Sequence, residues 1–382
     1  MVGMRDVARK AGVSLSTVSL VVNGTGYVSA EMRGRVEAAM RELDYIPNEL
    51  ARNLYSGRTS LIGVIVPTIR HPFFSTLTAS LQRAFAARGL RTMLCSTADA
   101  EGGEVEYVDM LRRRMMDGIV MGAHTSHAPD YWTSIGRPVV AFDRYLGEGI
   151  SSVGSDHEQG GRLVADLLVR TGARHVVTLG GPRAQFHDLQ RWAADHAAIG
   201  DDGPASTFPT VRYHLTLERE LRAAGAVHEY LEAGEVHDMQ AYAQAARVVC
   251  ARAAEGTVDA IVSSDVGAAF CVQEALRLGL RIPEDLQIVA YDGTYLAQAA
   301  GLRVTAVRQD FDAIADAIAG RMDEAIAGGC VTVEPVDDGA MDDAAGGTGT
   351  DGADAGTDVV ASVLRMIDDL VPVALMPGET TR

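Results

Sequence analysis

The sequence predicts an all-α head of short helices followed by an α/β core of two doubly wound parallel-sheet subdomains, an architecture of the kind found in two-lobed binding proteins. Three observations predict it. The first 60 residues hold short helical patterns broken at glycine and proline, with no strand-like run. From Leu61 onward, apolar runs rich in β-branched residues alternate with amphipathic helical patterns, as expected for parallel strands covered on both faces by helices. The 40 glycines and only 5% aromatics suit many tight strand–helix turns. A chain of 382 residues is long enough for more than one hydrophobic core.

Within the head, Met4–Ala11 places Val7, Ala8 and Ala11 at helical spacing, and Gly12 ends the segment. Ser14 is placed to cap a second helix running to about Asn23, with Val18, Val21 and Val22 on one face. The stretch "NGTGYVS" reads as loop. Ser29 then caps a third helix with Glu31 in its first turn, predicted to bury Val36, Ala39, Met40 and Leu43. Pro47 is a breaker, and a short helix follows from Asn48 to Tyr55, ended by Gly57. The expected organisation is a head over 1–46, a hinge helix and linker over 47–60, and a core over 61–382.

The core opens with the strand "LIGVIVPT", then a helix from Phe73 to Arg88 stopped at Gly89, then the strand "LRTMLCST". "DGIVMGA", "RPVVAFDR", "ISSVGSD", "RHVVTLGG", "VDAIVSSD" and "LQIVAYDG" repeat the alternation. Two such subdomains place a ligand cleft at the carboxyl ends of their strands. Two segments break the rhythm. One, about 183–211, is too long for a plain connection; the other, about 331–365, carries eight acids and no base over residues 331–359. The second reads as a solvated insertion or, alternatively, as an acidic strip that mimics or repels DNA.

A net charge of −17 argues against a nucleic-acid partner until it is divided along the chain. Residues 1–60 hold eight Lys/Arg against six Asp/Glu, a balance of +2, while the remainder holds 26 against 45, or −19. The N-terminal segment alone approaches polyphosphate without net repulsion. Cys95, Cys250, Cys271 and Cys330 lie far apart beside apolar runs, without metal-ligand spacing, so buried reduced thiols and no metal or other cofactor are expected. No apolar leader and no run of about 18 apolar residues occurs, which predicts neither export nor a membrane span and hence a cytoplasmic protein.

Two short helices joined through Gly12, the second opening with Ser and Thr, match a helix-turn-helix, whose second helix enters the major groove. An ordinary three-helix mini-domain has the same outline. The wording goes further: "DVARKAGVSLSTVSLVVNG" and "VSAEMRGRVEAAMRELDYIPNELARNL" closely resemble the DNA-binding head of the LacI/GalR family of bacterial transcription regulators. "HPFF", "DHEQGGRLVADLLVRTGARHVVTLGGP", "SSDVGAAFCVQEALRLGLRIPEDLQIVAYDG" and "VTAVRQDF" are similar to that family's core and stand in the same order. The resemblance spans the chain apart from the two insertions.

By that resemblance, Leu15, Ser16 and Leu20 fall where the family reads bases, and Ser14, Thr17, Ser19, Asn23, Tyr45 and Asn48 where it holds phosphates. Ala51 and Leu54 match the hinge helix, whose Leu wedges into a minor-groove base step and bends the duplex. Leu20 stands where most relatives carry Arg, so a thymine methyl rather than a guanine edge becomes its target. In the core, the resemblance implies an effector pocket lined by Asp143, Ser264, Asp292 and Gln309, with Phe73, Phe74 and Phe311 as walls. Acids and amides beside an aromatic face suit a sugar. Relatives place an arginine shortly after "GGP"; Arg212 is the first choice for it and Arg191 the second, although the helix lacks the family's Gly-aromatic pair. Ser264 replaces an Asn common in relatives.

The implied function is a homodimeric repressor that binds near-palindromic double-stranded operator DNA under control of a small-molecule effector, most simply a sugar. The C-terminus has no leucine heptad, which argues against a tetramerising coiled coil. A sugar-binding protein serving a transporter is the competing reading. An enzyme is disfavoured because no GxSxG, phosphate loop, HExxH or paired His/Cys site occurs.

Overall fold

The computed structural model describes residues 2–48, 53, 57–125, 127, 129–187, 210–328 and 368–382. The expected hinge helix with Ala51 and Leu54, Arg191, Cys330 and most of both insertions lie outside the described residues. Two compact units result, Met1–Thr59 and Ser60–Arg382.

The head is a bundle of α1 (Met4–Ala11), α2 (Leu15–Asn23) and α3 (Ala30–Glu42). Each start and stop has a local cause. Gly12 adopts φ +63°, the left-handed conformation that ends α1 and turns the chain toward α2. Ser14 Oγ accepts from the Thr17 amide at 3.1 Å, and Ser29 Oγ from the Met32 amide at 3.3 Å. The Arg35 guanidinium on α3 donates to the Ala11 and Gly12 carbonyls at 2.6 and 3.1 Å, closing the end of α1. Val7, Ala8, Ala11, Val18, Val21, Val36 and Ala39 form the core. Met40, Leu43 and Val22, expected inside, pack only at its margin, because three short helices have too little interior to enclose every apolar position.

The second unit consists of two lobes, each a six-stranded sheet between helical layers. In chain order its elements are β1 (Leu61–Val66), α4 (Pro72–Ala87), β2 (Arg91–Ser96), α5 (Gly103–Arg112), β3 (Gly118–Met121), α6 (Pro129–Thr133), β4 (Val139–Phe142) and β5 (Ser152–Ser155). Then come α7 (His157–Arg170), β6 (His175–Gly180), α8 (Thr210–Ala223), β7 (Val227–Glu232), α9 (Met239–Ala254) and β8 (Ala260–Ser264). The remainder is α10 (Asp265–Arg277), β9 (Gln287–Asp292), α11 (Tyr295–Ala299), β10 (Thr305–Gln309), α12 (Phe311–Gly328), β11 (Asp369–Val371) and β12 (Val373–Met376). The first lobe has strand order β11-β5-β4-β3-β1-β2 and the second β12-β10-β9-β8-β6-β7. β1, β3, β4, β8 and β9 are buried almost throughout, which is why they read as unbroken apolar runs.

Two features depart from the sequence reading. The second sheet is not wholly parallel: β12 runs antiparallel to β10, pairing Gln309 with Val373 and Ala306 with Met376. The other is small: α8 begins at Thr210, within a residue of the expected end of the insertion at about 211, and a 3₁₀ turn at Arg183–His187 follows β6. Cys95, Cys250 and Cys271 are free and buried. Among the described residues no helix is long and apolar enough to cross a membrane.

Among the described residues the backbone passes between lobes three times: from β5 to α7, from β10 to α12, and from β11 to β12 through the single residue Pro372. The C-terminal segment is fastened to both sides. Arg321 on α12 grips Asp369 with two hydrogen bonds of 2.7 and 3.0 Å, while Thr380 Oγ1 donates to the Ile288 carbonyl at 2.5 Å.

Gly161 on α7 sets how closely α8 approaches. A β-carbon there would lie 2.8 Å from the Tyr213 carbonyl oxygen and 3.1 Å from the Leu217 amide nitrogen, both backbone atoms that no rotamer change can move. Gly161→Ala should therefore lift α8 off α7 and destabilise the core by about 1–3 kcal/mol. Chemical denaturation measures it, and unchanged stability would show the contact to be slack.

Candidate nucleic-acid surface and ligand cavity

The start of α2 gathers the head's small hydroxyls. Ser14, Leu15 and Ser16 are exposed, Leu15 at 42%. Ser14 Oγ lies 2.7 Å from Ser16 Oγ and 2.8 Å from Thr17 Oγ1, so three hydroxyls sit together at the positive end of the helix. Asn23 Nδ2 donates to Ser19 Oγ at 3.1 Å, one turn along the same face. Leu20 is half-buried; a β-carbon on Gly26 would come 3.1 Å from its Cδ2, so its side chain rests on the following loop. Tyr45 packs at the edge of the head's core, where burial pushes its phenol pKa up, whereas Asn48 is exposed. Tyr27, unremarked in the sequence, is 92% exposed; its position in a loop offers no periodicity that would have singled it out.

In the second unit, a cavity of about 380 Å³ opens at the carboxyl ends of the strands of both lobes. Its walls include Phe73, Phe74, Asp143, Ser264, Asp292 and Gln309, so six of the expected residues converge on one space. Phe73 is edge-on to Phe74 at 5.0 Å and stacked on Phe142 at 5.9 Å, making an aromatic wall at the start of α4. Phe311 does not line the cavity. It lies behind Phe73, ring centroids 5.4 Å apart, inside the core of the first lobe. Arg212 is not in the wall either: it is half-buried within the fields of Glu158, Asp143 and Asp156, and its neighbours Tyr213 and His214 face the space instead.

Asp143 and Asp292 end β4 and β9 with positive φ, +46° and +119°. Non-glycine residues held in this region are strained and cluster at working sites. Both acids belong to one buried chain of hydrogen bonds through the lobe crossings, Asp292 at its end and Asp143 within it. Asp292 Oδ1 accepts from Gln309 Nε2 at 2.9 Å, and Gln309 Oε1 accepts from Ser155 Oγ at 2.6 Å. The Ser155 amide donates to Asp143 Oδ1 at 3.3 Å. Asp143 Oδ2 then lies 3.1 Å from His157 Nε2, and His157 Nδ1 lies 2.5 Å from the Tyr291 hydroxyl. With Asp143 as acceptor, the imidazole donates from Nε2 and accepts from Tyr291, whose phenol burial holds protonated.

Burial, together with Asp265 and Asp143, pushes the Asp292 pKa well above the usual carboxylate range. Burial likewise raises Asp265 to about 6, opposed by donors from Gly293 and Thr294. Ser264 serves twice, lining the cavity and accepting from the Gly267 amide at 3.4 Å as the cap of α10. Sequence reasoning missed His71, Arg144, Tyr213, His214 and Tyr242 in the wall. Arg144 is buried and donates to the Ala123 and Asp143 carbonyls. Among the described residues no group of three or more His, Cys, Asp or Glu is arranged to hold a metal ion.

Residues 3–48 match the family described as bacterial regulatory proteins, lacI family, and residues 165–337 match the periplasmic binding protein-like domain. The chain is 33% identical to the sucrose operon repressor of Pediococcus pentosaceus, over 80% of this chain and 86% of that protein. It is 31% identical to the ribose operon repressor of Halalkalibacterium halodurans, over 81% and 86% respectively. Its fold is similar to the lac repressor dimer bound to operator and the anti-inducer ONPF, with TM-score 0.71, 22% identity and coverage of 99% and 98%. The CelR–cellobiose complex is a further structural likeness, with TM-score 0.59, 22% identity and full coverage of both chains.

The raised carboxyls generate a pH signature. The folded protein holds these protons more tightly than the unfolded chain, so their contribution to stability falls as pH rises from 3.8 through about 6, the window set by Asp265, and returns on acidification. Asp292→Asn removes one buried charge and leaves an oxygen to accept from Gln309. The variant should exceed the parent in stability at pH 7 by on the order of 1 kcal/mol, and the gap should shrink by pH 4. Denaturant titrations at the two pH values test this, and equal stabilities at pH 7 would refute it.

Proposed function

The chain belongs to the lacI family of bacterial regulatory proteins, and we propose that it is a homodimeric, cytoplasmic repressor whose affinity for operator DNA is set by a sugar bound between the lobes of its core. The single observation that carries the ligand reading is the convergence on one cavity of an aromatic wall and strained, buried acids from both lobes. Acids and amides that accept and donate in several directions, beside ring faces, match the alternating hydroxyl and C–H surfaces of a sugar. The relatives point the same way. Two are operon repressors for sucrose and ribose, and one structural neighbour holds cellobiose. The attached head speaks against the transport-protein reading, since relatives that share most of the chain's length include operon repressors for sucrose and ribose.

On this reading, Leu15, Ser16 and Leu20 meet base edges in the major groove. Ser14, Thr17, Ser19, Asn23, Tyr45 and Asn48 hold phosphates, and Ala51 and Leu54 belong to a hinge element in the minor groove. Two-fold symmetry of the dimer requires a two-fold half-site arrangement in the operator. A sugar changes operator affinity only through its differential affinity for the DNA-competent arrangement, and the same factor appears in its own binding when DNA is present. The site binds its sugar and releases it unchanged.

Selection of random duplexes on the full chain should enrich a two-fold symmetric sequence. Ser16→Ala and Leu15→Ala should each weaken that sequence about tenfold while leaving salt-dependent binding to random duplex unchanged. Enrichment of no symmetric sequence would overturn the repressor reading. A thermal-shift series with sucrose, D-ribose, cellobiose and lactose tests the ligand arm, because a bound sugar raises the melting temperature by mass action.

A further inference from the structure

Three buried polar atoms in the cavity wall have no hydrogen-bond partner: His71 Nε2 from the first lobe, and Tyr213 Oη and His214 Nδ1 from the second. Native folds leave few such groups, and each asks for an explanation. Here three share one cavity. Their neighbours fix what two of them offer. His71 Nδ1 accepts from the Phe73 amide at 3.3 Å, capping α4, so the neutral ring carries its proton on Nε2 and presents a donor. Tyr213 packs its ring 4.0 Å from that of Tyr291, and burial with the nearby Asp292 charge keeps its phenol protonated, able to donate and accept.

The electrostatics of the wall are acidic. Among the described residues, Asp143, Asp292 and Glu235 line it with one guanidinium, Arg144, which already donates to two main-chain carbonyls. Burial holds His71 near 4 and His214 near 3, so neither adds positive charge at neutral pH.

We propose that His71 and Tyr213 are the specificity-determining residues for an uncharged polyhydroxylated ligand. One ligand oxygen accepts from His71 Nε2–H on the first lobe while another pairs with the Tyr213 hydroxyl on the second, and phosphorylated forms of the same sugars are rejected. This inference rests on the sugar reading above and narrows it. A phosphate dianion would surrender its hydration to a wall whose described residues include three acids and one guanidinium. A neutral sugar instead satisfies the unpaired polar atoms of the wall residues.

Calorimetric titration of the full chain with sucrose, D-ribose, cellobiose, lactose, D-ribose 5-phosphate and D-glucose 6-phosphate tests it, on the parent and on Tyr213→Phe and His71→Asn. Tyr213→Phe keeps the ring and removes an unpaired hydroxyl; His71→Asn keeps a side-chain acceptor for the cap of α4. At least one neutral sugar should bind, and each variant should weaken it by on the order of tenfold without lowering the melting temperature of the empty protein. The two phosphates should give no binding. A phosphorylated sugar that binds as tightly as its neutral counterpart overturns the inference and leaves the sugar reading standing. So does neutral-sugar affinity unchanged in both variants, or a melting temperature lowered by Tyr213→Phe. Absence of binding by all six compounds to the parent overturns the sugar reading and this inference together.

Discussion

The core is organised around a buried chain of hydrogen bonds that passes through the points where its backbone crosses between lobes. Asp292, Gln309, Ser155, Asp143, His157 and Tyr291 are linked in sequence, with members from both lobes and every distance between 2.5 and 3.3 Å. Each link is buried, so breaking one leaves an unsatisfied buried group. Its two carboxyl groups, Asp292 at one end and Asp143 within it, belong to residues that line the cavity. A ligand that draws on Asp143 or Asp292 therefore competes with the bonds that hold the lobes in register.

The head works on the opposite principle. Its exposed hydroxyls at Ser14, Ser16 and Thr17 bond mainly to one another, in contact with solvent. Those bonds are cheap to exchange for phosphate oxygens, and the positive end of α2 favours the exchange. Rigidity comes from elsewhere, from Arg35 closing α1 and from the seven buried residues beneath. A strongly acidic core and a slightly basic head thus divide the labour between repelling and accepting polyanions.

What was legible in the sequence was what is local. Ser14, Ser29 and Gly12 act within four residues of their own position, so the helix bounds of the head follow from the residues alone. Strands buried on both faces announce themselves as apolar runs, and polar residues at their ends led to Asp143, Asp292 and Gln309. What failed depends on long-range registration. Arg212 and Tyr213 differ by one residue, about 100° around a helix, and the preceding insertion leaves nothing in the sequence to say which faces inward. Phe311 follows Gln309 by two positions, yet the crossing into α12 carries it behind the wall. His71 reads as a loop residue before Pro72 until its unpaired nitrogen is seen. β11 and β12 are too short, and too close to Pro372, to show a period.

Those two strands have a consequence for how the protein is made. They supply an edge to each sheet, and Arg321 and Ile288 wait for Asp369 and Thr380 to complete their bonds. The head closes at Thr59, roughly 310 residues upstream of Asp369. At ordinary translation speed that separation lasts on the order of tens of seconds. During this interval a nascent chain has a finished DNA-reading head attached to lobes that still lack their last strands. Ribosomal order alone completes the regulator's head well before its core.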